Sequence, residues 1–195
     1  MSLRIQIIGL LIFAIAGMIA CGDENIIENV DASIQRRIDL EIINDYIADQ
    51  QYNFQPGDTT ASGVRFVILD VGTGDSIFYE DIVDVYYVGR FTNREIFDTN
   101  IDTVDINNDT FDSTAAYTAV RFTHTPGGWA IRTKLGSAFR IGFYDGITAI
   151  LDRTRIKGKA EVIIPSDLAF GAAPDPSSPF RDRVLVYEFY PVYKR

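Results

Sequence analysis

From Asn25 to about Gln51 the apolar and polar positions recur with the period of an α-helix. Leu40, Ile42, Ile43, Tyr46 and Ile47 fall in one stripe, opposite Arg37, Asp45 and Asp49. Asp31 or Ser33 is placed to cap the N-terminus of this helix. Ile34 and Ile38 lie off the stripe, which leaves the first half open to a second surface. The segment NFQPGDTTASG (Asn53 to Gly63) then breaks the pattern with Pro, Gly and small polar residues and reads as a linker.

Past Gly63 the pattern changes to that of strands. VRFVIL (Val64 to Leu69) precedes a Gly-rich turn, DVGTGD. In DVYYVGRF (Asp84 to Phe91), Val85, Tyr87 and Phe91 share one face and Asp84, Tyr86 and Arg90 the other. KAEVIIP (Lys159 to Pro165) and RVLVYEFYPV (Arg183 to Val192) are two further strands, the last rich in β-branched and aromatic residues. One short helix lies between them. In GFYDGITAIL, Ile147, Ile150 and Leu151 make a single apolar face, and Arg153, Arg155 and Lys157 before Gly158 suit a helix C-terminus. Asn100 to Ala138, rich in Thr, Asp and Asn, is expected to hold two or three irregular strands and a long solvated loop. The fold class that follows is α+β: an antiparallel, twisted sheet wrapped around one short helix and preceded by an N-terminal helix.

Composition narrows the function. The chain has 195 residues, 47% of them hydrophobic and 12% aromatic, enough to bury a core. Its net charge of −9, with no cluster of Lys and Arg, argues against nucleic acid as a partner. The first twenty residues stand apart. After Arg4, the run IQIIGLLIFAIAGMIA (Ile5 to Ala20) is short for a membrane span and ends in small residues, as a secretory signal does. Met18-Ile19-Ala20-Cys21-Gly22 resembles a bacterial lipobox, whose cysteine is lipidated and becomes the new N-terminus. Cys21 is the only cysteine, so no disulfide can form within the chain. The expected organisation is a signal peptide over 1–20, a lipidated Cys21 with helical spacer and linker over 21–62, and a folded domain over 63–195. The expected location is the bacterial cell envelope, lipid-anchored at the outer membrane and facing periplasm or exterior.

Most catalytic chemistry lacks its residues here. His124 is the only histidine, which leaves no histidine-paired triad and no His-rich zinc site; in FTHTPGG it reads as a solvated loop residue. VGTGDS lacks the Lys and the helix of a phosphate loop. Asp98-x-Asn100-x-Asp102 begins like a calcium loop, but Thr103 stands where Gly is needed and Asp109 where Glu is needed. No metal and no cofactor are expected. One oddity remains: Phe97-Asp98-Thr99-Asn100 returns as Phe111-Asp112-Ser113-Thr114. The first copy follows a strand across the turn TNRE, so Phe97 and Asp98 are expected to return to the Tyr87 face, with Asp98 accepting a hydrogen bond from Tyr87. The second copy follows DTVDINND and reads as a solvated turn.

Four segments in order carry a family resemblance. VYYVGRFTNREIFDTN resembles the strand-turn-strand "Y-x-G … G-x-x-F-D" of FKBP-type peptidyl-prolyl cis-trans isomerases. GFYDGITAIL … GKAEVIIPSDLAFG is similar to the family's helix and its "IP-x-x-L-A-Y-G", VLVYEFYPV to its closing strand, and GVRFVILDVGTGD to its lead-in. The resemblance spans about Gly63 to Arg195, and its lipid-anchored bacterial subtype carries an N-terminal helix. It implies Asp98, Tyr87 and Phe170 as catalytic residues and Phe97, Ile141, Phe143 and Tyr187 as substrate-binding ones, with Phe143 in the place of a Trp and Phe170 in the place of a Tyr.

The implied activity needs no nucleophile. An X-Pro bond prefers trans by only about 0.5–1 kcal/mol, yet rotation about it faces roughly 18–20 kcal/mol because the planar amide is conjugated. Binding the twisted amide better than the planar one, in a water-poor aromatic pocket, is enough to catalyse its rotation. The implied partners are proline-containing segments of exported proteins and, through the lipid, the membrane. Two other readings stay open: a proline-peptide binding or chaperone module of the same fold with little isomerase activity, and a structural lipoprotein whose helix drives assembly.

Overall fold

In the computed structural model, which describes residues 24–125, 128–131, 141–172, 175 and 177–195, the helical period of the N-terminal region becomes one helix, α1 (Glu24–Asp49). ENIIENVDAS contains no Gly or Pro to stop it, so the helix begins well before the expected caps. Asp31 and Ser33 therefore lie inside α1. Cys21 and the signal run lie outside the described residues. The chain divides into two compact units between Ile34 and Gln35. Among the described residues, no helix is long and apolar enough to cross a membrane.

Within the larger unit, Gln35–Arg195, the elements are β1 (Arg65–Asp70), β2 (Ile82–Phe91), β3 (Ile96–Thr99), α2 (Asp102–Asn107), β4 (Val120–Thr125), β5 (Gly128–Ile131), α3 (Ile141–Leu151), β6 (Lys159–Ile164) and β7 (Leu185–Lys194). The strands form one seven-stranded sheet in the order β1-β6-β7-β2-β4-β5, and β3 also pairs with β2. Every pairing is antiparallel. The architecture is thus α+β, with a helix on each face of the sheet. Strand β2 serves three neighbours: β7 along its length on one side, and β4 and then β3 end to end on the other.

Strands β6 and β7 are buried on both faces over most of their length, which is why their sequences read as nearly continuous apolar runs. Ala160, Val162 and Ile164 of β6, with Leu185, Tyr187 and Phe189 of β7, join Phe143, Ile147, Ile150 and Leu151 of α3 in the main core. The alternate positions Ile163 and Val186, with Val184, meet Ile43 and Tyr46 of α1 in a second, smaller core. The predicted stripe on α1 is therefore right at its centre, while Leu40 at its edge is exposed. Ile34 and Ile38, off the stripe, are exposed as well.

α3 sits close against the sheet because two of its residues have no side chain. A Cβ on Gly142 would come within 2.2 Å of Ile164, and one on Gly146 within 2.2 Å of Val162. The helix ends at Leu151, earlier than the basic run suggested, so Gly158 does not cap it. Arg153 and Thr154 cap it by donating to the carbonyls of Ala149 (2.6 Å) and Ile150 (2.9 Å). In the Asn100 to Ala138 region, β4 and β5 match two of the expected strands. The short polar α2 was not foreseen, since it buries no residue and so leaves no apolar stripe in the sequence.

Candidate functional site

Tyr87 lies in the middle of β2, and its backbone is held on the β3 side by residues that follow Asp98. Asn100 Oδ1 accepts from the Tyr87 N–H at 2.7 Å, and Thr99 Oγ1 donates to the Tyr87 carbonyl at 2.7 Å. Asn100 Nδ2 also reaches the carbonyls of Val85 and Thr118 (3.3 and 3.0 Å). A buried amide thus ties three segments together, and its oxygen is committed to the fold rather than to a cation. Sequence reading passed over Asn100 as the third position of a failed calcium loop.

Ordinary strand alternation would send Phe97 and Asp98 to opposite faces. The register shows how both come to border the same region. Gly89 pairs with Asp98 and Arg90 with Ile96, leaving Phe97 as an extra residue in a β-bulge. Asp98 then accepts a hydrogen bond from the Tyr87 hydroxyl at 3.0 Å, as expected from the sequence. Phe97 packs on Phe91 (4.9 Å between ring centroids), on the edge of Tyr187 (5.6 Å) and on Phe180 (5.3 Å). Only glycine fits at position 89, where a Cβ would lie 2.8 Å from the Phe97 ring and 3.0 Å from that of Tyr187.

Below these rings is the aromatic floor. Phe143, projecting from α3, meets Tyr187 edge to face at 5.0 Å, Phe189 at 5.1 Å and Tyr87 at 6.0 Å. Phe143, Tyr187 and Phe170 line one small cavity with Ile164, Leu168, Ala169 and Leu185. Of the sequence-predicted residues, Tyr87, Phe97, Asp98, Phe143, Phe170 and Tyr187 are brought together through these contacts. Ile141 is not. It is the first residue of α3, is 68% exposed and is absent from the cavity wall. Phe180, which packs on both Phe97 and Phe170, was missed; it sits in the Pro- and Ser-rich stretch before β7, where no strand or helix period marks it.

The two copies of the Phe-Asp motif border a common open cleft of about 240 Å³, which Asp98, Asp105, Asp112 and Tyr117 all line. They differ in burial. Burial holds the Asp98 carboxyl above the ordinary aspartate range, against the hydrogen bonds from Tyr87 and the Thr99 backbone. Asp112 is in solvent, and hydrogen bonds from the Thr114 hydroxyl and N–H hold its carboxyl below that range. Burial, reinforced by Asp98 as acceptor and charge, pushes the Tyr87 phenol up; burial and then the Asp98 charge do the same for Tyr187. Both phenols therefore stay neutral at physiological pH. The site offers aromatic walls, two neutral phenols and one carboxylate, a surface that suits an uncharged ring and a polarised amide.

His124 departs from its expected place in a solvated loop. It lies in β4, stacked on Trp129 at 4.6 Å and touched edgewise by Tyr79. Among the described residues no group of three or more His, Cys, Asp or Glu side chains is arranged to hold a metal ion.

No protein-family model matches the chain, and no curated protein matches it. Solved structures do match, three of them as follows. The crystal structure of FkpA from Escherichia coli shares 17% identity over 98% of this chain and 82% of that one, with a TM-score of 0.45. That of AtFKBP13 shares 20% over 71% of this chain and 98% of that one, with a TM-score of 0.43. A peptidyl-prolyl cis-trans isomerase from Pseudomonas syringae pv. tomato str. DC3000 shares 21% over 83% and 94%, with a TM-score of 0.46.

Proposed function

We propose that this chain is an FKBP-type peptidyl-prolyl cis-trans isomerase acting on X-Pro bonds of exported proteins. The observation that carries the reading is the Tyr87–Asp98 hydrogen bond set against the Phe97, Phe143 and Tyr187 rings. A bulge and a glycine place those groups together, at the positions where the family resemblance puts its pocket. In this reading the prolyl ring rests against Phe143 and Tyr187. The low-polarity walls favour the twisted amide, which has lost conjugation, over the planar one. Asp98 keeps the Tyr87 phenol oriented and accepts N–H groups of the peptide. A protease-coupled assay on a short Ala-Leu-Pro-Phe peptide tests this directly: catalysed isomerisation supports the reading, and a rate equal to the uncatalysed one overturns it.

A second reading, prolyl-peptide binding with little isomerase activity, is favoured by Phe170, which brings no hydroxyl to the position where the resemblance implies one. Peptide binding without rate acceleration in the same assay selects it.

We further propose that the chain is exported and held on the bacterial envelope by acylation of Cys21 after removal of residues 1–20. Two or more acyl chains hold a protein on a bilayer far more firmly than one. Cys21→Ser is expected to leave an uncleaved precursor or release the protein to a soluble fraction. Mature wild-type protein with an unmodified Cys21 thiol would contradict the anchor.

A further inference from the structure

The cavity lined by Phe143, Phe170, Tyr187 and their neighbours measures about 10 Å³, room for about a single water molecule. A prolyl ring has five heavy atoms and cannot enter it as it stands. Most of the wall is closely packed: Phe143, Ile164, Leu185 and Tyr187 are all 3% exposed or less, and Leu168 ends, and Ala169 follows, a 3₁₀ turn pinned by buried bonds from Ser166 to Asp39. Phe170 is the aromatic of the wall closest to solvent. It is only partly buried, and its ring packs against Phe180 at 4.8 Å, which in turn rests on Phe97 at 5.3 Å and Phe91 at 5.7 Å. Phe180 does not itself line the cavity. Its backbone is fixed by a turn in which Arg183 N–H reaches the Phe180 carbonyl and Asp182 N–H the Gly171 carbonyl at 2.8 Å.

We infer that Phe180 is a positioning residue that holds Phe170 across the prolyl cavity, so that a prolyl ring enters only when this ring pair parts. The inference rests on the isomerase reading of the same site. Apparent affinity for the ligand is then reduced by the fraction of molecules in which the pair is parted. One aromatic pair corresponds to roughly a two- to tenfold change in that equilibrium. Removing the Phe180 ring strengthens binding, although it deletes apolar surface at the rim; a plain pocket wall does the opposite.

The test uses the full chain and two probes: N-acetylprolinamide, followed by the NMR methyl signals of Leu168 and Leu185, and the Ala-Leu-Pro-Phe peptide in the isomerase assay. Phe180→Ala is expected to bind the amide roughly two- to tenfold more tightly and to lower KM by a similar factor with kcat unchanged. Phe180→Trp, which keeps an aromatic ring and enlarges it, is expected to bind no better than wild type. Thermal unfolding of both variants establishes that they are folded, and Phe180→Leu replaces Phe180→Ala where the alanine variant is not. Equal or weaker binding by the folded small-side-chain variant, while wild type still isomerises the peptide, overturns the role of Phe180 and leaves the function standing. Neither binding nor turnover in wild type or variant overturns the function, and this role with it.

Discussion

At the scale of single residues, the site is a set of rings around one partly buried carboxylate. Phe170 is where this chain lacks a hydroxyl at the cavity wall. Phe170→Tyr is expected to raise the isomerase rate several-fold with little change in stability, because one oxygen is added at a partly exposed edge. An unchanged or lower rate, measured on the Pro-containing peptide, would mean that the substrate carbonyl is held elsewhere. Tyr87, Phe97, Asp98, Phe143, Phe170 and Tyr187 were legible in the sequence because spaced motifs carried them. Phe180 and Asn100 were not. One sits in a stretch without periodicity, and the other acts through backbone groups thirteen and more positions away, a relation that residue type cannot announce. Ile141 failed for a different reason: nearness in sequence to Phe143 was taken for nearness in space, but residues two apart on a helix point about 200° apart, to opposite sides.

The elements show how the site is braced from outside. α1 contributes an aspartate that sequence alone would put in water. Asp39 is fully buried and accepts from the Ser166 N–H and hydroxyl, both at 2.7 Å, and from Gln35 at 2.8 Å. Ser166 opens the turn that leads through Leu168 and Ala169 to Phe170, so a helix on one face of the sheet steadies a wall of the cavity on the other. Asp39→Ala leaves two buried donors bare, each costing about 1–3 kcal/mol. A clear fall in the urea midpoint is expected, with weaker prolyl binding; an unchanged midpoint would show that the bonds are replaced by water. The strands were legible because pattern and residue type agree in them. The bulge at Phe97 was not, since it is a matter of register, and the Phe97 and Asp98 placement expected from the sequence proves right only because the bulge breaks the alternation.

Over the whole molecule, the buried Glu188 and the partly buried Asp98 set opposing responses to acid. Burial alone would raise the Glu188 carboxyl, but hydrogen bonds from Tyr190 and Lys159 and the charges of Lys159 and Arg90 outweigh it and hold it low. Its contribution is present above the ordinary glutamate value and is lost as pH falls. Asp98 has the opposite sign: its raised value makes its contribution complete below about pH 4, and that contribution is lost as pH rises through the folded-state value. Asp98→Asn removes the Asp98 part alone. The stability of this variant relative to wild type is therefore expected to increase from about pH 4 upward, as followed by urea unfolding; a difference independent of pH would contradict the burial assigned to Asp98. Asp98 also carries the functional account, and the solvated second copy of its motif, on the same cleft, supplies the control. The most direct measurement is the rate of Ala-Leu-Pro-Phe isomerisation by wild type, Asp98→Ala and Asp112→Ala under one set of conditions. A strong loss is expected for Asp98→Ala, on the order of tenfold or more, and little change for Asp112→Ala. Equal losses, or a larger loss at Asp112, would contradict the placement of catalysis at the Tyr87–Asp98 pair.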